Sequence, residues 1–175
     1  MKRDLSLWQL VGFAFTALGG TLLHFLYDWT NNNIVAAFSA VNESTWEHMK
    51  LLYFPLFFFS LLQSRFFKDF KSFWCVKLWG TTTGLVLIPV FFYTYNGAFG
   101  KSPDWFNIAI FFIAAAAALI LEKHLFKQDG FHCKTPTLAF VLIFIIGILF
   151  VVFTYATPHL PLFQDPITGT FGLSY

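Results

Sequence analysis

The chain has 175 residues, of which 57% are hydrophobic, 22% are aromatic and 11% are charged, and its formal net charge is +2. Soluble domains carry about 25% charged residues, so this composition excludes an ordinary soluble domain with a water-exposed surface. No basic run interleaved with polar residues is present, which argues against a nucleic-acid partner. The composition predicts an all-α integral membrane protein, because helices satisfy their own backbone hydrogen bonds in lipid.

Five segments are long and apolar enough to cross a bilayer, which takes about 20 helical residues. In chain order they cover residues 5–27, 44–63, 73–95, 105–121 and 137–157, and a tail of residues 158–175 follows them. Pro89 in the third segment predicts a kink. Because no repeat and no polar domain interrupts these segments, we expect one membrane domain over residues 1–175, built as a bundle of five transmembrane helices.

Lysine and arginine residues are distributed unevenly between the two sides of this bundle. Nine of the eleven fall on the side of the N-terminus: Lys2, Arg3, Arg65, Lys68, Lys71, Lys77, Lys123, Lys127 and Lys134. The positive-inside rule then predicts an N-terminus inside and a C-terminus outside. We expect Lys77 to extend to the inner interface, and Cys75 and Cys133 to remain reduced thiols on that side.

The first predicted span ends in HFLYDW, where His24 and Asp28 are four residues apart. On a helix such a pair shares one face at a separation of about 6 Å. His24 lies about a turn inside the apolar segment, where an imidazole without a role is costly, so it is a candidate functional residue. The alternative is a pair that anchors the helix end at the headgroups, next to Tyr27 and Trp29.

The second predicted span is preceded by VNESTWEHMK, which concentrates ionisable residues at a helix start. Ser44 and Glu47 fit a capping box, which gives Glu47 a structural explanation. The capping box does not explain why Asn42, Glu43 and His48 occur together. We therefore predict that this segment contributes to a polar site at the outer face.

The tail contains HLPLFQDPITGTFG and has a single formal charge, at Asp165. A solvated tail would be more polar, so we expect this one to fold back over the outer face and bring His159 and Asp165 with it. The alternative is a tail that lies in the membrane interface with no site beneath it.

The segments HFLYDW, VNESTWEHMKLLYFP and HLPLFQDPITGTFG together resemble a family of small multi-spanning bacterial membrane proteins classed as a domain of unknown function. The resemblance covers essentially the whole chain. It implies a location in the cytoplasmic membrane of a bacterium and a choice of residues, not a reaction. A weaker chemical analogy is with membrane hydrolases related to alkaline ceramidases, which hold zinc with three histidines inside a helix bundle. The present chain has fewer helices and lacks their paired histidines on a final helix.

These residues favour a metal-dependent hydrolase that acts on a membrane lipid or a small amide substrate. The expected residues are three Zn²⁺ ligands (His24, His48 and His159), two candidate catalytic bases (Glu43 and Glu47) and three residues that orient ligands or bind substrate (Asp28, Asn42 and Asp165). One alternative is a binding or transport protein for a small cation or solute, which would favour a homodimer because no repeat is visible. Another is an accessory protein in which the polar cluster only joins helix ends.

Overall fold

The computed structural model describes residues 2–173, and residues 2 and 3 by their backbone alone. The helices in this range are α1 (Lys2–Thr30), α2 (Asn33–Ala36), α3 (Thr45–Ser64), α4 (Phe73–Phe99), α5 (Asp104–Lys127) and α6 (Pro136–Tyr155), and a 3₁₀ turn follows at Pro161–Phe163. The predicted all-α fold is confirmed for the described chain. The predicted tail includes residues 174 and 175, which lie outside the described residues.

Four of these helices are long and apolar enough to cross a membrane: residues 4–30 of α1, and the whole of α4, α5 and α6. Helix α3 is not among them, although it coincides with the second predicted span. It has 20 residues and includes the buried charged side chains of Glu47 and Lys50. The described chain is therefore all-helical and has four candidate spans, one fewer than the sequence predicts.

Helix α3 lies at the centre of the bundle, and more than half of its residues are buried. It contacts each of α1, α4, α5 and α6. The Tyr53 hydroxyl donates to the backbone carbonyl of Ile143 on α6 at 2.7 Å. A Cβ atom at Gly147 would lie 2.6 Å from that hydroxyl oxygen, so α6 can approach α3 this closely only with a glycine there. Because protein encloses α3, its charged residues need not face lipid.

Consecutive long helices are antiparallel, so the polar ends of several helices lie together. The C-terminal ends of α1, α4 and α6 meet the N-terminal ends of α3 and α5, as residue pairs such as His24 and Glu43 or Tyr95 and Phe106 show. We call this the site end. The other end of the bundle, which contains the starts of α1, α4 and α6, is the opposite end.

Lys77 at the opposite end does not extend to an interface, contrary to the sequence-based expectation. Its side chain is fully buried, and its Nζ lies 2.5 Å from Oε2 of Glu122 on α5. Gly80 makes room for this pair, since a Cβ there would lie 2.4 Å from Cγ of Glu122. Glu122 therefore compensates the charge of the Lys77 ammonium group inside the bundle.

The expectation of two reduced thiols is also wrong, because Cys75 and Cys133 form a disulfide. The loop before α6 folds back onto the start of α4, where the Ser72 hydroxyl accepts from the Cys133 amide at 3.0 Å. The two Cα atoms are 6.2 Å apart. The sequence does not indicate this proximity, because 58 residues separate the two cysteines.

Candidate metal centre

Three polar side chains from α1, the loop before α3 and α3 itself converge at the site end. Nε2 of His24 lies 3.7 Å from Oε1 of Glu43, and Nε2 of His48 lies 3.6 Å from Oε2 of the same carboxylate. The two imidazole rings are nearly perpendicular, with centroids 5.6 Å apart. Among the described residues these three offer ligand atoms that all lie within 4.8 Å of one another.

The loop between α2 and α3 brings Glu43 to His24 because Ser39 fixes this loop against the end of α1. The Ser39 hydroxyl donates to the carbonyl of Leu23 and accepts from the amide of Tyr27 at 2.9 Å. These are backbone groups of the last turns of α1, on either side of His24. The chain can therefore pass alongside α1 before it enters α3, and Glu43 lies within reach of the His24 ring.

The orientation of the His48 ring is set by the first turn of α3. Its Nδ1 lies 3.0 Å from the backbone carbonyl oxygen of Ser44, which can only accept a hydrogen bond. Nδ1 therefore donates, and Nε2 is the ring nitrogen that faces Glu43. A histidine that ligates a metal through one nitrogen usually donates from the other in this way. Nδ1 of His24 is buried and has no hydrogen-bond partner among the described residues.

Two distances within the cluster are close to those between the ligand atoms of a tetrahedral metal ion. Two ligand atoms about 2.1 Å from such an ion lie about 3.4 Å apart, close to the 3.6 and 3.7 Å separations between the imidazole nitrogens and the Glu43 carboxylate. Two imidazoles and one carboxylate form the ligand set of several hydrolytic zinc sites, and the fourth position there holds water. The donor set of His24, His48 and Glu43 is therefore one that could hold a metal ion.

Two cavities adjoin the cluster, and both are lined by Glu43 and His48. The smaller has a volume of about 90 Å³ and the larger about 420 Å³. Asp104 and Asn107, from the first turn of α5, also line both. Sequence reasoning missed these two residues, since they occur singly in a segment that otherwise predicts only a span.

The smaller cavity is bordered by a hydrogen-bonded network at the connection between α4 and α5. The Ser102 hydroxyl donates to Oδ1 of Asn107 at 2.7 Å, and the Ser102 amide donates to Oδ1 of Asn96 at 2.9 Å. Lys101 lies next to this network and lines the same cavity. A positive φ of 83° at Gly100 allows the chain to turn here after α4.

The tail folds back onto the site end, as the sequence predicts. Pro166 and Ile167 line the smaller cavity. The side-chain amide of Asn42 donates to the carbonyl of Gly172 at 3.0 Å, and Phe163 packs against Trp46 with ring centroids 4.7 Å apart. The tail therefore forms one wall of the site and is fixed to the same loop that supplies Glu43.

Asp165 connects the tail to the cluster through the backbone. Its carboxylate accepts from the amides of Ile167 at 2.7 Å, Thr168 at 3.1 Å and Glu43 at 3.3 Å. Burial alone would raise the pKa of this carboxyl, but the hydrogen bonds from the three amides outweigh burial and hold the pKa below its usual range. Asp165 thus orders the Glu43 backbone and is not itself one of the converging side chains.

Other residues predicted for the site lie away from the cluster. The His159 ring is exposed and packs against Phe171, with centroids 4.7 Å apart. Asp28 is exposed at the end of α1 and makes no hydrogen bond to Nδ1 of His24. Of the three histidines predicted as ligands, the structure therefore brings together two, and Glu43 lies between them.

Glu47 is directed into a separate polar group inside the bundle. Its carboxylate lies 2.5 Å from Nζ of Lys50, which also donates to the carbonyl of Ala36 and the hydroxyl of Thr154, both at 2.9 Å. The capping box is only half formed, since the Ser44 hydroxyl accepts from the Glu47 amide at 3.4 Å but the Glu47 carboxylate accepts from Val41 at 3.2 Å. The ammonium group of Lys50 draws the carboxylate inward.

A family model matches residues 1–173, and its description is a family of unknown function, DUF6512. The chain belongs to this family. The match agrees with the resemblance that the three quoted segments indicate. No curated protein and no solved structure matches the chain.

Proposed function

We propose that this protein binds a divalent ion, zinc, through His24, Glu43 and His48 and hydrolyses a lipid or amide substrate at the membrane. The observation that carries the proposal is the convergence of three ligand atoms within 4.8 Å, at a wall shared by two cavities. An isolated cluster that served only to join helix ends would not require cavities on both sides.

Three such ligands would leave a bound zinc ion free to hold a water molecule. When bound, zinc supplies a water of lowered pKa and polarises a carbonyl oxygen. The chain itself holds the ligands in place: His48 is fixed through Ser44, and the Glu43 backbone is fixed by Asp165. With Glu43 acting as a ligand, it is not free to serve as the base.

Asp104 is the second carboxylate that lines both cavities, and we assign it the proton transfer. The water oxygen adds to the carbonyl carbon of the substrate while a water proton passes to Asp104. The bond from that carbon to the amide nitrogen or ester oxygen then breaks, and the same proton passes to the leaving nitrogen or oxygen. Glu47 does not take part, because Lys50 already pairs with its carboxylate.

The proposal is tested by the zinc content of the purified protein after zinc loading and removal of excess ion. We expect about one zinc per chain in the wild type and a fall in affinity of more than about 100-fold in His24→Ala, His48→Ala and Glu43→Gln, since each loses a direct ligand. His159→Ala is the matched control, and it should retain zinc because its ring lies against Phe171. A cooperative thermal unfolding transition in detergent is the check that each variant is folded.

The proposal fails if the folded wild type takes up no zinc, or if all three ligand variants retain it. Equal loss in His159→Ala would instead restore the three-histidine site that the sequence predicts. Asp104→Asn gives an independent readout, because it should keep zinc and lose hydrolysis.

A further inference from the structure

We infer that the ligand of this site is a single-chain amphiphile with an anionic headgroup. Its acyl chain would lie between α1 and α5 in the larger cavity, and its headgroup would lie against Lys101 in the smaller one. The inference rests on the proposed metal site for its charge balance, and it adds the chemical class of the substrate and the direction from which the substrate enters.

The larger cavity is bordered by two helices that are both candidate membrane spans. Several of its lining side chains are also exposed on the outside of the bundle: Phe25 at 45%, Ile108 at 60% and Phe112 at 36%. The cavity therefore opens sideways between α1 and α5. In a membrane the group that meets this opening is a hydrocarbon chain, since apolar helix surfaces of this length lie against lipid tails.

Gly20 and Phe111 close the inner part of this opening. A Cβ atom at position 20 would lie 2.4 Å from Cζ of Phe111, so the ring packs directly against the backbone of α1. Beyond this contact, towards the site end, the cavity of about 420 Å³ lies between the helices. Its volume falls within the range of about 300–1,000 Å³ that small-molecule sites occupy.

The smaller cavity has the chemistry of a headgroup site. Its polar lining includes the Asn96, Ser102 and Asn107 network, and its volume of about 90 Å³ accommodates several water molecules or a carboxylate-sized group. Glu43 and Asp104 supply two negative charges, which a bound divalent ion balances. Lys101, which is the basic residue among those lining the two cavities, then favours an anionic headgroup.

The cluster lies between the two cavities, because five residues line both: Glu43, His48, Asp104, Asn107 and Phe111. In a ligand that extends from one cavity into the other, the bond between the chain and the headgroup would lie next to these residues. A carbonyl at that junction would lie next to the proposed zinc ligands.

A matched pair of non-hydrolysable probes tests this inference: dodecyloxyacetate, which is anionic, and dodecyloxyethanol, which is neutral. Binding of the radiolabelled probes is measured on the zinc-loaded protein in nanodiscs. Ile108→Trp fills the larger cavity, and Ile113→Trp is its control, because Ile113 is also exposed on α5 but lines neither cavity. Lys101→Gln removes the positive charge of the protein that would face the headgroup.

We expect Ile108→Trp to weaken dodecyloxyacetate binding at least tenfold and Ile113→Trp to leave it unchanged. Lys101→Gln should weaken dodecyloxyacetate binding several-fold and leave dodecyloxyethanol binding unchanged. Equal affinities in the two tryptophan variants would overturn the acyl-chain site, and an equal effect of Lys101→Gln on both probes would overturn the anionic headgroup.

Zinc content, measured on the same samples, separates this inference from the metal proposal. If the wild type holds no zinc but Ile108→Trp alone loses the probe, the metal proposal fails and the acyl-chain site is supported. If zinc is present and neither tryptophan variant affects the probe, the metal proposal stands and the inference is overturned.

Discussion

Glu43 and Glu47 are four residues apart, yet their carboxylates have different partners. Glu43 precedes the helix and lies between His24 and His48, whereas Glu47 is on the buried side of α3 with Lys50. The sequence indicates that both glutamates mark an important segment. It does not indicate which direction each faces. The direction of Glu47 depends on Lys50, and the burial of Lys50 depends on α2 and α6, which the sequence does not place beside it.

The Glu47 and Lys50 pair makes a testable contribution to stability. Glu47→Gln would be nearly silent if Glu47 only capped the helix, because glutamine also closes a capping box. The structure predicts instead a loss of about 3–5 kcal/mol, since a fully buried ammonium group is left without its carboxylate. Unfolding of the detergent-purified protein by heat or denaturant measures this loss.

The double variant Glu47→Gln/Lys50→Met is the control for this prediction. It removes both charges, so it should unfold closer to the wild type than Glu47→Gln alone. A Glu47→Gln variant as stable as the wild type would contradict the buried pair.

At the scale of elements, α3 shows why spans and buried helices are hard to separate by sequence. A helix enclosed by other helices and a helix that faces lipid are both apolar on all sides. The segment Thr45–Ser64 reads as a span in the sequence; in the structure it is the central helix of the bundle and runs between the same two ends as α1 and α4. The ends of the predicted elements agree with the helices within a few residues, apart from the C-terminal end of α5, because the apolar segments are long.

The sequence predicts that the tail folds back because its apolar side chains require burial, and the structure agrees. Its specific contacts could not be predicted, since they join residues more than 120 positions apart, such as Asn42 with Gly172 and Glu43 with Asp165. Hydrogen bonds of this kind depend on how α1, α3 and α6 bring the loop and the tail to the same end.

The docked tail should respond to pH through Asp165. Because the docked tail holds this pKa below its usual range, the carboxylate stabilises docking above the pKa of a free aspartate. That contribution should be lost as the pH falls from about 4 through the lowered pKa that the Asp165 carboxyl has in the docked tail. Hydrogen exchange of residues 161–173, followed by mass spectrometry between pH 6 and pH 3, measures tail docking.

Asp165→Asn is the control for the tail. Its tail amides should have lower protection factors than those of the wild type at pH 6, and these factors should change little on acidification. Tail protection that is the same at pH 6 in both proteins would contradict a role for the Asp165 carboxylate in docking.

At the scale of the whole molecule, two lysines used to predict orientation are buried in ion pairs. Lys50 pairs with Glu47 at the site end, and Lys77 pairs with Glu122 at the opposite end. Without these two, the remaining lysines and arginines divide eight to one, so the asymmetry keeps its direction. The disulfide at the basic end favours the other orientation, since such bonds persist in oxidising compartments.

The site as a whole was predictable as a region but not as a set of ligands. Topology places His24, His48 and His159 at one end, but an end spans the full width of the bundle. The distance between side chains there depends on the loops, and those loops bring Glu43, Asp104 and Asn107 to the cavities and leave His159 with Phe171. No spacing rule in the sequence relates α5 to the start of α3.

The most direct test of this account is X-ray absorption spectroscopy at the zinc edge of the zinc-loaded protein. We predict two imidazole nitrogens and light oxygen scatterers, at about 2.0–2.1 Å from the ion. Replacement of His48 by alanine should remove the bound ion, and replacement of His159 should leave the spectrum unchanged. A spectrum without imidazole scattering, or one that changes with His159 and not with His48, would contradict a metal centre formed by His24, Glu43 and His48.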